Sequence, residues 1–224
     1  MDLMIINQPR VFPHRAIYQN AKRAFDVALC ILSLPVVLPI VAICALAIHF
    51  DSAGSILIVQ DRIGKGGHTF RMIKFRTMRS KFDDRQSRAY MKAYIKGNLD
   101  CNGDGKKVYK PNNGDQITRV GRILRKTSLD EIPQIINVLK GEMSIVGPRP
   151  NVPWEVEEYR PWHHERCEVL PGMTGLAQVR GRSSIDFVSL VRFDIEYIEN
   201  QSLAMDLKIL WRTVGRIILF KDAM

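Results

Sequence analysis

The chain has 224 residues, 46% of them apolar and 25% charged, which is enough for one domain or for a small domain with an appendage. Lys and Arg outnumber Asp and Glu by 33 to 23, and the formal net charge of +10 favours an anionic partner: a phosphorylated substrate, an anionic lipid or a nucleic acid. The four cysteines are far apart and form no CxxC pair. Their spacing argues against a zinc site or a disulfide framework and predicts a reducing, cytosol-facing compartment.

An uncharged, strongly apolar run of 24 residues, 27–50, follows Lys22 and Arg23. A transmembrane helix needs about 20 such residues, so the run is long enough to cross a bilayer. A secretory signal is disfavoured because the run starts late and has no small-residue cleavage site. A buried helix of a soluble protein is disfavoured because apolar residues cover every face of the helix.

Two features of this run argue against a simple transmembrane span. Pro35 and Pro39 lie in its middle, where each removes a backbone donor, and the hydroxyl of Ser33 can bond to a carbonyl freed there. Positive charges flank the run on both sides, whereas a true span has a charge asymmetry. After the run they are Arg62, Lys65, Arg71, Lys74 and Arg76. We therefore predict a re-entrant membrane helix that breaks at a proline and returns to the same face. Which proline makes the break stays open.

Further elements follow from periodicity and turn residues. Residues 55–60 and 68–74 predict a β-hairpin around the glycine-rich turn at 64–67. Charged residues 79–96 and residues 154–168 predict helices, whereas 100–114 and 172–182 predict loops. Two amphipathic helices, 186–200 and 203–220, close the chain. The second carries Trp211 and a row of Lys and Arg, so its apolar face suits either the protein core or an anionic membrane surface.

The stretch 127–150 combines a helix with a stiff turn. Ser128 followed by Glu131 is a capping-box pattern, and Gly141 is a typical helix stop. Asp130 and Glu131 then lie in the first turn, where backbone N–H groups favour carboxylates and also attract phosphate. Arg149 follows between two prolines. Two interpretations stay open at this level: a capped helix with a rigid turn, or an acidic pair that faces an arginine across a phosphate site.

Five motifs in a fixed order narrow the choice. They are Lys22-Arg23 before the proline-containing run, Lys74-Phe75-Arg76-Thr77-Met78, Ser128-Leu129-Asp130-Glu131, Val146-Gly147-Pro148-Arg149-Pro150 and Pro171-Gly172-Met173-Thr174-Gly175. Each motif is weak by itself, but the ordered set is specific. Over roughly residues 20–220 the chain closely resembles the bacterial sugar transferase family, small monotopic phosphoglycosyl transferases that act on polyprenyl phosphate.

The resemblance implies an enzyme that moves a sugar-1-phosphate from a UDP-sugar to undecaprenyl phosphate and releases UMP. It implies that Asp130 is the nucleophile, that Glu131 assists by proton transfer or by organising the site, and that Mg²⁺ is bound by Asp130 and the diphosphate oxygens. Arg125 falls at the family's phosphate-binding arginine, and Arg149 at the arginine of its Pro-Arg-Pro turn. The other substrate-binding residues implied by the motifs are Lys74, Arg76, Thr77, Gln178 and Arg182, the last two towards the nucleotide.

The chain departs from the family pattern at two places. Some family members carry serine directly before the breaking proline, whereas Leu38 precedes Pro39 here and Ser33 lies two residues before Pro35. The segment 80–120 is also longer than in compact relatives, and its role is unassigned. The sequence does not identify the UDP-sugar, the polysaccharide pathway or the oligomeric state, and a homodimer stays open.

The expected fold class is α+β and predominantly α, with a proline-broken re-entrant membrane helix, a small β-hairpin and amphipathic interfacial helices. We expect an N-terminal membrane segment, 1–50, and a catalytic domain, 51–224, on the cytosolic face of the bacterial inner membrane. The expected partners are the UDP-sugar, undecaprenyl phosphate and membrane lipids, with no nucleic acid. The alternative is a non-catalytic single-span protein with a basic domain that binds lipid or nucleic acid. A transferase acting by direct displacement is a closer alternative.

Overall fold

A computed structural model describes residues 15–79, 85–98, 116–181 and 185–218. The helices are α1 (Arg15–Asp51), α2 (Arg85–Lys96), α3 (Arg119–Thr127), α4 (Ile135–Lys140), α5 (Pro153–Val156), α6 (Leu176–Arg180), α7 (Phe187–Glu199) and α8 (Leu203–Ile218). The strands are β1 (Leu57–Ile63), β2 (Thr69–Phe75), β3 (Ser144–Val146) and β4 (Gly172–Thr174). The predicted α+β, mainly helical class is confirmed. The predicted loop at 100–114 and Arg182 lie outside the described residues.

Helix α1 continues without interruption through Pro35 and Pro39. The predicted break therefore does not occur as a gap in the helix. Each proline removes only its own N–H and leaves one carbonyl, four residues earlier, without a donor, so the remaining hydrogen bonds can hold the helix together. The Ser33 hydroxyl donates to the carbonyl of Cys30 at 2.8 Å. It bonds to a carbonyl, as predicted, but not to that of residue 31 or 35, which the prolines leave free.

The middle of α1 is not covered by protein. No residue from 31 to 39 is buried, and Leu32 is 76% exposed. The most apolar 18-residue window of the helix has a mean hydropathy of 2.8, and only 11% of it is buried. A core helix of a soluble protein would be mostly covered by other residues. A large exposed apolar surface instead marks a site of contact with another protein or with a membrane. Length and composition are thus sufficient for α1 to enter a membrane.

Both ends of α1 contact the same folded domain. Near its start, Lys22 Nζ lies 3.0 Å from a carboxylate oxygen of Asp206 in α8, and Arg23 donates to carbonyls in the last turn of α4. At its end, an Asp51 carboxylate oxygen accepts from the N–H of Val120 at 3.2 Å. Lys22 and Arg23, predicted as charges flanking the apolar run, therefore also fasten the helix to the domain.

The predicted β-hairpin is confirmed. Strands β1 and β2 pair antiparallel from Leu57 opposite Phe75 to Ile63 opposite Thr69. In the connecting turn, Gly66 has a φ of 70°, a left-handed conformation that glycine adopts without a steric penalty. Arg62 lies opposite Phe70, and Lys74 is four residues further along β2. Because residues alternate between the two faces of a strand, Arg62 and Lys74 lie on the same face of the hairpin.

A second, parallel strand pair was not predicted. Ser144 of β3 lies opposite Gly172 of β4, and Val146 lies opposite Thr174. The prediction of a loop over 172–182 is therefore wrong, since β4 and α6 occupy most of it. A three-residue strand is too short to show a period-two pattern, and β4 forms because tertiary contacts bring β3 beside it.

The capping-box prediction at Ser128 is also wrong. Ser128 has a φ of 57° and ends α3 in the left-handed region, and its side chain makes no capping hydrogen bond. Residues Leu129–Gln134 then form a 3₁₀ helix that leads into α4. The chain has to change direction between two packed helices, and this requirement overrides the local cap. The predicted stop at Gly141 is confirmed, with a φ of 83°.

The predicted helix 154–168 is divided into two short pieces. Helix α5 ends at Val156, and a 3₁₀ helix occupies Pro161–Cys167. Arg160 is extended because the residue before a proline is disfavoured in the helical region.

The two closing helices are confirmed within the described residues. Asp186 caps α7 by accepting from the N–H of Ser189 at 2.9 Å. In α8, Asp206 and Ile209 are buried against the domain. A second face of α8 is exposed, with Leu203, Leu207, Trp211 and Val214 along it. The helix therefore serves the core on one face and leaves an apolar stripe on another.

Candidate active site

The two adjacent acidic residues lie in the first turn of the 3₁₀ helix Leu129–Gln134. This helix packs against β2 on one side and against α1 on the other. Leu129, directly before Asp130, packs in the cluster that includes Cys44 and Ile48 of α1. Asp130 is therefore the next residue in sequence after one that contacts the apolar helix α1.

Three cationic side chains surround Asp130. Burial raises the pKa of Asp130, and the neighbouring Glu131 carboxylate raises it further, whereas Arg149, Lys74 and Arg125 act in the opposite direction. A partly desolvated carboxylate is a stronger base than one in water, and the cations keep it from becoming fully protonated. The structure thus brings together five residues that the sequence analysis assigned to one site.

Glu131 forms an ion pair with the arginine of the Pro-Arg-Pro turn. Arg149 Nη1 donates to Glu131 Oε1 at 2.7 Å. The Glu131 carboxylate also raises the pKa of Arg149, since an adjacent negative charge stabilises the guanidinium. The geometry favours an organising role for Glu131 over the helix-capping role that the sequence suggested.

Arg125 is held by Thr77. Its Nε donates to Thr77 Oγ1 at 2.9 Å, and the backbone carbonyl of Thr77 accepts from the N–H of Thr118 at 3.1 Å. Thr77 is buried, so its hydroxyl has a fixed position. The structure places Thr77 as a support for Arg125, and Arg125 in turn lies close enough to Asp130 to lower its pKa.

Lys74 and Arg62 extend the positive charge along the hairpin. Burial lowers the pKa of Lys74 to about 8, with contributions from Arg62 and Arg149 in the same direction. Arg62 donates from Nη1 to the carbonyl of Pro150 at 3.0 Å. The sequence analysis did not assign Arg62 to the site. The sequence analysis named Arg62 only as one of the positive charges that follow the apolar run. No local sequence pattern connects Arg62 to Arg149.

Asn137 joins the strand of Lys74 to helix α4. Its Oδ1 accepts from the N–H of Ile73 at 3.0 Å, while its Nδ2 donates to the carbonyl of Arg71 at 2.8 Å and to Glu142 Oε2 at 2.6 Å. The side-chain amide makes the two bonds that a neighbouring strand would make with β2. A fully buried amide that satisfies both groups fixes the position of Lys74 relative to the acidic pair.

Two predicted binding residues, Arg76 and Gln178, are not among the side chains around Asp130. Arg76 is buried and donates to the backbone and hydroxyl of Ser52, which joins β2 to the end of α1. Gln178 lies in α6, and its side-chain amide donates to the carbonyl of Met173 at 3.3 Å. The backbone carbonyl of Gln178 accepts from Arg216 of α8. These contacts give Arg76 and Gln178 structural roles. Arg182 lies outside the described residues.

The donor set around Asp130 fits a magnesium ion only in part. Within the described ranges, no group of three or more His, Cys, Asp and Glu residues could hold a metal. Mg²⁺ is commonly bound by one or two carboxylates together with substrate phosphates and water. Asp130 and Glu131 meet that requirement when a diphosphate supplies the remaining oxygens.

The chain is similar to known proteins over most of its length. The family described as "Bacterial sugar transferase" matches residues 17–220. "Exopolysaccharide production protein ExoY" of Sinorhizobium fredii is 38% identical over 203 residues, 91% of this chain and 88% of the relative. A Caulobacter vibrioides protein named "UDP-glucose:undecaprenyl-phosphate glucose-1-phosphate transferase" is 40% identical over 211 residues, 90% of this chain and 71% of that protein.

A third relative has a different sugar in its name. The "Undecaprenyl-phosphate galactose phosphotransferase" of Salmonella typhimurium is 37% identical over 201 residues, 90% of this chain but 41% of the relative. Because the family match covers the hairpin, the acidic pair and the Pro-Arg-Pro turn, this chain belongs to the bacterial sugar transferase family.

Proposed function

We propose that this protein transfers a sugar-1-phosphate from a UDP-sugar to undecaprenyl phosphate at a membrane surface, with release of UMP. The names of the Caulobacter and Salmonella relatives support this reaction. The observation that carries the proposal is the half-buried Asp130 carboxylate among Lys74, Arg125 and Arg149. A diphosphate donor and a phosphate acceptor both repel a carboxylate, so the reaction requires cations of this kind around the nucleophile.

In the first step, a carboxylate oxygen of Asp130 attacks the phosphorus that carries the sugar. The bond from that phosphorus to the oxygen of the UMP phosphate breaks, and UMP leaves with the electron pair. The product is a phosphosugar bound covalently to Asp130. The raised pKa of Asp130 favours this attack because a more basic oxygen is a better nucleophile. Lys74, Arg125 and Arg149 would bind the diphosphate oxygens and lower the repulsion.

In the second step, an oxygen of undecaprenyl phosphate attacks the same phosphorus and displaces the Asp130 carboxylate. The product is an undecaprenyl diphosphosugar, and Asp130 returns to its starting state. Division into two displacements means that the two bulky anionic substrates need not occupy the site together. Glu131 would keep Arg149 aimed at the phosphorus oxygens through their 2.7 Å bond.

Asp130, with Glu131 beside it, would hold Mg²⁺ together with the diphosphate oxygens of the substrate. When bound, the ion would neutralise negative charge on the leaving group.

A monotopic, re-entrant arrangement of α1 is part of the proposal. The two ends of the helix contact one domain, at Asp206 and at Val120, while the apolar middle is exposed. If α1 spanned the membrane, its two ends would lie on opposite faces of a hydrocarbon core about 30 Å thick. One domain could then not contact both ends from one side of the membrane. A bend near Pro35 or Pro39 that inserts only the middle would leave Asp130 at the depth of the acceptor phosphate. We assign the domain to the cytosolic face of the inner membrane, because positively charged flanks on both sides of an apolar run are typical of that face.

The exposed stripe of α8 suits an interfacial position beside α1. Leu203, Leu207, Trp211 and Val214 would lie among the lipid headgroups, and the exposed Lys208 and Arg212 would contact anionic lipid. The non-catalytic alternative accounts for the basic charge and the apolar helix. It gives no role to the paired carboxylates inside the cationic cluster.

The test is UMP release by the purified protein in lipid nanodiscs. Each UDP-sugar of a panel is supplied with undecaprenyl phosphate and Mg²⁺, with and without a chelator, and UMP is quantified. We expect release with at least one UDP-sugar and its loss with chelator. A radiolabelled sugar phosphate should remain on the protein when the acceptor is omitted. UMP formation only when both substrates are present, with no labelled protein, would instead indicate direct displacement.

A further inference from the structure

The turn that carries Arg149 is held by its carbonyl groups. Pro148 and Pro150 have no N–H to donate, so this segment can be fixed to its surroundings chiefly as an acceptor. The carbonyl of Pro150 accepts from Arg62, as described above, and that of Asn151 accepts from the N–H of Ile63 at 2.9 Å. Between them, the carbonyl of Arg149 itself accepts from Arg166 Nη2 at 3.1 Å.

Arg166 makes four bonds around this turn. Its Nη1 donates to Asn151 Oδ1 at 2.6 Å and to the Tyr159 hydroxyl at 2.7 Å. Its Nη2 donates to Arg149 and to Asp194 Oδ2, the latter at 2.6 Å. The planar guanidinium presents these donors in a fixed fork, which a lysine ammonium does not reproduce. One buried side chain therefore joins the turn to α7.

Asp194 determines how this fork is oriented. The side chains of Arg166 and Asp194 are only 4% and 2% exposed. A buried ion pair contributes little net stability, because the loss of hydration offsets the attraction between the charges. The pair instead orients the guanidinium. One Nη2 hydrogen is directed to Asp194, so the other is directed to the Arg149 carbonyl.

We propose that Arg166, oriented by Asp194, is a positioning residue that sets the Arg149 guanidinium against the substrate phosphates. Neither residue touches the acidic pair, so both act through the backbone of Arg149. The role in turnover rests on the proposed transferase function. The effect on the turn does not, and can be measured without any substrate.

The first readout is hydrogen–deuterium exchange. The N–H groups of Ile63 and Gly172 report on the turn because they donate to the carbonyls of Asn151 and Pro148, the latter at 2.9 Å. In Arg166→Lys and in Asp194→Asn, we expect these two amides to exchange about 10-fold faster than in the wild type, because a loosened element exchanges through local opening. Asp194→Asn is the milder variant, since it keeps the side-chain shape.

The second readout is turnover. A misplacement of about 1 Å in a catalytic group can cost about 100-fold in rate, so we expect each variant to lower kcat by about 10- to 100-fold with a smaller change in KM. In an Arg149→Lys background, the same substitutions should change kcat less than about 2-fold, because residues that act through one group are not additive.

Asp186→Ala is the matched control. It removes the N-cap of the same helix α7 but has no contact with the turn. It should lower Tm while leaving exchange at Ile63 and Gly172 unchanged. Equal losses of kcat in the wild-type and Arg149→Lys backgrounds would overturn the positioning role. So would unchanged exchange in both Arg166→Lys and Asp194→Asn. Faster exchange without any detectable transferase activity would retain the support of the turn and reject the proposed function.

Discussion

Arg149 Nη1 lies 2.7 Å from Glu131 Oε1, which joins the Pro-Arg-Pro turn to the acidic pair across 18 residues of sequence. The Arg149 side chain is 46% exposed and that of Glu131 only 14%. Nη1 of the guanidinium is thus held by Glu131, while the exposed part of the side chain is accessible to a ligand. In the proposed reaction, this arrangement lets Glu131 hold Arg149 in place while Asp130 keeps a free oxygen for attack.

Glu131→Gln tests that relationship. Glutamine keeps an acceptor of the same shape but removes the charge. The bond to Arg149 therefore weakens, and Asp130 loses the negative charge that raises its pKa. We expect a 10- to 100-fold loss of kcat, about 1.4 to 3 kcal/mol of transition-state stabilisation. UMP release under saturating substrate measures it. Unaltered kcat would remove Glu131 from the site. Glu157→Gln, at an exposed glutamate of the same domain, is the comparison variant.

Asp130→Asn tests the nucleophile. The amide is nearly isosteric but cannot form the acyl phosphate, so transfer should fall by at least about 1,000-fold while the protein stays folded and membrane-bound. The sugar-phosphate label should also be absent from the variant. Asp61→Asn, on the outer face of β1, removes an exposed carboxylate of the same hairpin and should leave turnover unchanged. Substantial turnover by the Asp130 variant would reject the covalent mechanism.

Lys74 predicts an alkaline limit of activity. Burial, Arg62 and Arg149 lower its pKa to about 8, so its positive charge is present below that pH and is lost as pH rises through it. We expect kcat/KM, which reports the free enzyme, to decline above about pH 8. Lys74→Arg keeps the charge and should move this limb upward by at least about one pH unit. Lys65→Arg in the hairpin turn is the control, and an identical limb in the Lys74 variant would exclude this lysine as its source.

His163 predicts an acid-dependent loss of stability. It is buried, and burial lowers its pKa from 6.5 to about 4. Between these values the unfolded chain binds a proton that the native state does not, so stability decreases as pH falls from about 6.5 to 4. The lost contribution is about 3 kcal/mol, from 1.36 kcal/mol per pKa unit. His163→Phe, which suits the surrounding Tyr159, Trp162 and Phe187 rings, should flatten the dependence of Tm on pH over this range. Equal pH dependence in both proteins would contradict a neutral, buried imidazole.

The membrane topology can be tested by labelling single cysteines. Gln19→Cys lies near the start of α1, Glu157→Cys on the exposed part of the domain, and Val36→Cys in the uncovered middle of α1. In a background without native cysteines, a membrane-impermeant maleimide should label Gln19→Cys and Glu157→Cys from the same side only. Val36→Cys should resist it because that position lies in lipid. Labelling of the first two from opposite sides would indicate a span.

The sequence by itself determined the elements whose signal is local. The hairpin follows from alternation and a glycine turn, helices α7 and α8 from their apolar period, and the end of α4 from Gly141. The motifs also identified the residues that meet at the site, because Asp130, Glu131, Arg125, Arg149 and Lys74 lie in one cluster.

Only the tertiary structure decided the parts that depend on contacts distant in sequence. The β3–β4 pair joins residues 28 apart, and such pairing leaves no period in either short strand. Ser128 ends one helix instead of capping the next because the packing of α3 and the 3₁₀ helix imposes a left-handed residue there. Arg76 binds Ser52, directly after α1, and Arg62 binds the Pro-Arg-Pro turn, although both are arginines of the same hairpin region. A side chain's type specifies which bonds it can make, but its partners depend on which elements the fold brings within hydrogen-bonding distance.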